Sequence, residues 1–160
     1  MQIEATDAAA LRAVVLKDLQ AIERIEEHVT SLTGATEPLS RAQIDSLGFA
    51  LHNLYNALEN SFTQISLTFE NHVKDRVRWH RELLGKMFLA IPPVRPAVLP
   101  ETNRPLLADL LGFRHLFRHG YELSLEEVKL VALTSRWLRE GASVKEALRQ
   151  FLAQMPDLPA

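Results

Sequence analysis

Cysteine is absent from the chain, which removes disulfide frameworks, thiolate zinc sites, Cys-ligated iron–sulfur clusters and cysteine nucleophiles together. Glycine is scarce, six in 160 residues, and the 47% apolar, 24% charged composition suits one ordered domain, residues 1–160, that buries its own core. No apolar run approaches the roughly 20 residues that a bilayer-spanning helix needs. The first ten residues carry acids where a secretory leader would carry bases, so a cytoplasmic protein without a membrane partner is expected. No segment alternates with the two-residue period of a half-buried strand. Positive charge is not in excess either: a formal net charge of −2 speaks against nucleic-acid binding by the molecule as a whole.

What the chain does carry is helical periodicity. Leu11, Val14, Val15, Leu19, Ile22, Ile25 and Val29 recur at three- and four-residue steps, which predicts a helix over about 7 to 32 with Asp7 as its N-cap. A longer pattern starts at Ser40, beyond Gly34 and Pro38, and runs through Ile44, Leu47, Leu51, Leu54, Leu58, Phe62, Ile65 and Phe69. A weaker stripe, Val77, Leu83, Leu84, Met87 and Phe88, spans 75–91. Five of the eight prolines fall within 92–105, so this stretch is an ordered or extended connection. A fourth helix is expected from Asn103 or Arg104, with Pro105 in its first turn, Leu106, Leu107, Leu110, Leu111 and Phe117 as apolar positions, and Gly120 closing it. Ser124 and Glu127 have the spacing of a capping box for a last helix, which is expected to break near Gly141 and restart at Ser143. The predicted fold class is all-α, an up-and-down bundle of four to five helices.

The near-neutral total conceals an uneven distribution of charge. Residues 1–71 hold 4 basic and 10 acidic side chains and residues 122–160 hold 5 and 6, whereas 72–121 hold 9 basic, 4 acidic and four of the six histidines. That middle segment ends in Arg114-His115-Leu116-Phe117-Arg118-His119-Gly120-Tyr121. On a helix, Arg114, Arg118 and Tyr121 fall on one face, with His115 and His119 on a neighbouring one. Phosphodiester cleavage uses these groups: imidazoles that exchange protons near neutrality, and a guanidinium fork that matches phosphate oxygens, with no metal required. Cations at a helix C-terminus also favour the helix dipole, which accounts for Arg and His there without any function.

The octapeptide resembles the Arg-polar-x-x-x-His-x-Tyr motif of the HEPN superfamily, in particular the HepT-like ribonuclease toxins of toxin–antitoxin systems (type II or type VII) that pair with minimal nucleotidyltransferases. Two further segments are similar to that family: Leu51-His52-Asn53-Leu54-Tyr55-Asn56-Ala57-Leu58-Glu59-Asn60, like its early helix that pairs subunits, and Trp79-His80-Arg81-Glu82-Leu83-Leu84. The resemblance covers about Asp18 to Val131. It implies a HEPN-like homodimer that cuts an RNA substrate at a shared cleft without a cofactor. Arg114 and His119 match the catalytic pair; Arg114 would hold the scissile phosphate, and His119 would activate the ribose 2′-hydroxyl or protonate the leaving oxygen. His115 fits the orienting polar position. Tyr121 matches the tyrosine that a nucleotidyltransferase antitoxin adenylylates. The alternative is a HEPN-type module that binds a nucleotidyltransferase partner or RNA without cleaving it. Arg118 departs from the family's apolar or small residue, as either an extra phosphate contact or a solvated charge, and the roughly 40 residues past the motif exceed what catalysis needs.

Other candidates carry less. His72 and His80 could share a helix face but lack carboxylates at ligand spacing, so no metal site is expected. Glu126 and Glu127 read as capping and dipole compensation. Trp79 and Trp137 read as core or interface anchors, Trp79 with RNA contact open because Lys74, Arg76, Arg78 and Arg81 surround it. Tyr55 and Phe62 read as core or, more sharply, as a dimer face.

Overall fold

In the computed structural model, residues 1, 3–34, 38–70, 79–119 and 126–156 are described. Five α-helices follow in order: α1 Ala5–Thr33, α2 Arg41–Glu70, α3 Trp79–Met87, α4 Arg104–His119 and α5 Glu127–Ala153, with a 3₁₀ turn at Glu101–Asn103. Cross-helix pairs fix their directions. Asp18 accepts from Asn60 and Ser61 while His28 meets Ser46, so α1 and α2 are antiparallel. Arg12 donates to the carbonyl of Leu152 and Glu26 accepts from Trp137, which sets α5 antiparallel to α1. Asn103 meets Ser143 and Arg136 pairs with Asp109, so α4 opposes α5. The four long helices therefore alternate up and down, and α3 is a short element packed on α2 and α4. The expected all-α bundle is what forms. Apart from an isolated bridge between Ile91 and Arg95, the described residues contain no β-structure.

The core follows the apolar stripes of α1, α2 and α4 read from the sequence. Leu19 and Ile22 of α1, Leu47, Leu51, Leu54, Leu58 and Ile65 of α2, Leu106, Leu107 and Leu110 of α4, and Trp137 and Phe151 of α5 are all buried. Tyr55 and Phe62 are fully buried within one chain, so they are core and not a dimer face. No described helix is long and apolar enough to cross a membrane.

Several boundaries differ from expectation. The N-cap of α1 is Glu4 and not Asp7, which lies in the first turn. Ser40 and Gln43 form the reciprocal side-chain–backbone pair that opens α2. Gly120 and Ser124 lie outside the described residues. Glu127 does not serve as the third residue of a capping box: Glu126 is the N-cap of α5, and the Glu127 carboxylate accepts from the backbone N–H of Leu39, tying α5 to the α1–α2 connection. The Pro-rich connection is ordered. Arg95, with its side chain fully buried, ties it to α2 through the Glu70 carboxylate and donates to the carbonyls of Lys86, Leu89 and Pro96. Burial pushes the Glu70 carboxyl up, but hydrogen bonds from Arg95 and Lys86 outweigh it and hold it below the usual carboxylate range.

The predicted break at Gly141 does not occur, because the glycine serves packing. A Cβ there would meet the Trp137 indole at 2.5 Å. That ring is 1% exposed, and its Nε1 is anchored to Glu26 at 2.9 Å, so it cannot yield. Gly141→Ala gains up to about 1 kcal/mol of helix propensity. The overpacking it causes costs about 1–3 kcal/mol. A lower urea midpoint is expected for the variant; an unchanged or higher one would show that the indole moves aside.

Candidate active site

Leu106, Leu107, Leu110 and Arg114 are the buried residues of α4, so Arg114 continues an apolar stripe into the bundle. A guanidinium at a core-facing position needs partners, since an unpaired buried charge is strongly unfavourable. α2 supplies them. His52, Asn56 and Glu59 lie along one side of α2, at steps of four and three residues. Arg114 Nε donates to Asn56 Oδ1 at 2.7 Å, and Nη2 pairs with Glu59 Oε1 at 3.2 Å. Arg114 and Glu59 are 7% and 6% exposed. Nη1 has no hydrogen-bond partner among the described residues.

The other oxygen of the same carboxylate holds a second helix. His80, in the first turn of α3, places Nδ1 2.7 Å from Glu59 Oε2. The Trp79 indole lies against its ring, with centroids 4.2 Å apart. The His80 side chain remains 28% exposed. Glu59 thus links the motif arginine to the imidazole of His80.

A second imidazole, His52, is half-buried beside this pair. With Asn56 Oδ1 accepting from Arg114, its amide nitrogen donates to His52 Nε2 at 3.0 Å, which leaves the proton of His52 on the buried, unpartnered Nδ1. Burial, and then the charges of Arg114 and Arg118, hold the His52 pKa below its ordinary value. The Tyr55 hydroxyl, also buried without a partner, is pushed far up by burial and by the Glu59 carboxylate. Phe117 covers His52, with ring centroids 5.1 Å apart.

Apart from Phe117, the described remainder of the motif is exposed. His115, Arg118 and His119 are exposed, and the His115 and His119 rings lie 4.6 Å apart, one turn from each other. Arg114 and Arg118 lie one helical turn apart but differ in burial, Arg114 buried and Arg118 exposed, and the charges of both act on His52. Tyr121 lies outside the described residues. Among those residues no three potential ligands gather as a metal would require. A cleft of about 430 Å³ between the Pro-rich connection and α5, lined by Val98, Ser143 and Phe151, contains none of these groups.

A family model described as HepT-like protein matches residues 46–155. The chain belongs to the HepT-like family. No curated protein and no solved structure matches it. The matched span runs from α2 to the end of α5 and so includes every residue of the network and the motif, while α1 precedes it. What the sequence reading of this HepT-like chain missed is the polar flank of α2. His52, Asn56 and Glu59 were visible beside the apolar stripe but were grouped with a subunit-pairing helix. Their helical spacing would have marked a polar strip intended for a buried partner.

Removing Glu59 leaves the buried Arg114 charge without its counter-ion. Glu59→Ala is expected to cost about 3–5 kcal/mol of stability, as for other broken buried pairs. Truncating Asp45, whose pair with Arg41 is exposed on both sides, should cost well under about 1 kcal/mol. Urea unfolding of both variants measures the difference, and equal losses would contradict the burial argument.

Proposed function

We propose that this chain is the ribonuclease toxin of a cytoplasmic toxin–antitoxin pair, a metal-independent endoribonuclease working as a homodimer. In this reading Arg114 and His119 are the catalytic pair and His115 and Arg118 support them. A nucleotidyltransferase antitoxin neutralises the protein by adenylylating Tyr121. The observation that carries the reading is the fixed guanidinium of Arg114: two of its nitrogens are held by Asn56 and Glu59, so the Nη1 edge is preorganised for a phosphate oxygen. Exposed imidazoles at His115 and His119, on the same last turns of α4, suit proton transfer to or from a bound strand. The excess of basic residues within 72–121 supports local attraction of the RNA backbone. Phe49 and Leu116, 57% and 55% exposed on the two helices that His52 and Phe117 join, are apolar side chains of the kind a second copy would cover. Appending nucleotides at Tyr121 would add bulk and negative charge beside the motif.

One observation favours the non-catalytic alternative, a module that binds a nucleotidyltransferase or RNA without cutting. Glu59 offsets the Arg114 charge, so the guanidinium is a weaker anion site than a free one. Incubation of the purified chain with RNA in EDTA separates the two readings. Cleavage is expected to persist in EDTA and to fall by about 100-fold or more in Arg114→Ala and in His119→Ala. Binding without cleavage would establish the alternative. On co-expression with the antitoxin, the parent should gain mass in multiples of AMP and Tyr121→Phe should not; the same gain in both would place the modification elsewhere.

A further inference from the structure

A strand-cleaving step at phosphorus needs two proton transfers, one from the attacking 2′-hydroxyl and one to the departing 5′-oxygen. The motif supplies His119, which has no carboxylate or other hydrogen-bond partner among the described residues; its one ring neighbour is His115. His52 cannot serve, because Asn56 occupies Nε2 and Nδ1 is buried. His80 is arranged differently from both. Its Nδ1 is 2.7 Å from a carboxylate that is itself 6% exposed, the Trp79 ring packs on it at a tilt of 36°, and its side chain is still 28% exposed. A carboxylate at Nδ1 fixes the tautomer with the proton on that nitrogen, leaves the lone pair on Nε2, and stabilises the imidazolium once Nε2 has gained a proton. The oxygen opposite holds Arg114, so base and phosphate ligand hang from one carboxylate.

Resting on the cleavage reading above, we propose that His80 is a further catalytic residue, the general base of the reaction, with Glu59 as the positioning residue that orients it and Arg114 together. Nε2 of His80 takes the 2′-hydroxyl proton as O2′ bonds to phosphorus. The P–O5′ bond breaks, and O5′ takes a proton from the His119 imidazolium. The products are a 2′,3′-cyclic phosphate and a free 5′-hydroxyl, and both imidazoles regain their starting states by exchange with water. Arg114 holds a non-bridging oxygen throughout. The role left open for His119 is thereby narrowed to the acid.

Two substrates separate the roles. One is a ribodinucleotide and the other a uridine 3′-(4-nitrophenyl phosphate), whose leaving group departs without a proton. His80→Gln, which retains a donor for Glu59, should lower kcat by about 10²- to 10⁴-fold on both substrates with KM little changed. His119→Ala should lose a similar factor on the dinucleotide and recover most of it on the nitrophenyl ester. Added imidazole should restore part of the activity of His80→Ala. If the parent cleaves and His80→Gln keeps kcat within about twofold on the dinucleotide, His80 is not the base while the cleavage reading stands. A parent that cleaves neither substrate removes both. In the parent itself, the His80 imidazole resonances should shift on addition of a dinucleotide with a 2′-deoxy sugar at the cleavage position. Unmoved resonances would overturn the proposal even if the His80 variants failed to fold.

Discussion

A carboxylate buried between a guanidinium and an imidazole imposes strict conditions on its surroundings. Glu59 can be 6% exposed because Arg114 and His80 occupy its two oxygens, and Arg114 can be 7% exposed because Glu59 and Asn56 receive it. Removing one member leaves another as an unpaired polar group in a low-dielectric interior, which costs more than the intact pair contributes. Three helices are therefore held in register at one point. α2 supplies the acceptor, and α3 and α4 dock onto it through single side chains. Apolar burial drives the association of these helices, while the ionic junction selects which residues of α3 and α4 end up opposite Glu59.

The same junction arranges the chemistry of the proposed site. A solvated arginine on a helix end would bind phosphate in many orientations, whereas one with two nitrogens already committed offers a single edge. The offset of its charge by Glu59 weakens long-range attraction and leaves that task to the surrounding basic segment. The exposed part of the motif, His115 and His119, lacks such support among the described residues. In the proposed cleft, a second copy or the RNA itself would supply the orienting contacts.

Much of this was legible in the sequence. The apolar stripes of α1 and α2 predicted helices to within a few residues, since a three- and four-residue period has one physical meaning when sustained over seven turns. The octapeptide at Arg114 and the family resemblance were also visible, and the family match bears the resemblance out. Two kinds of feature were not. Gly141 reads as a helix breaker because propensity is local, whereas its reason is the Trp137 ring lying over it. Glu59 and His80 stand in two separate family-like segments, 21 positions apart, and no period connects them. Their pairing exists only once α3 folds back on α2. Arg114 was recognisable as a residue of the family motif, but its inward direction was not, since a cation on a helix is solvated by default.

The central claim is that Glu59 makes Arg114 and His80 one unit. A double-mutant cycle in single-turnover RNA cleavage tests it most directly, using Glu59→Gln, His80→Gln and the pair together. If His80 works only as Glu59 orients it, the double variant should cleave no more slowly than the slower single variant, within about threefold. Rate losses that multiply would show the two residues acting independently and would contradict the account.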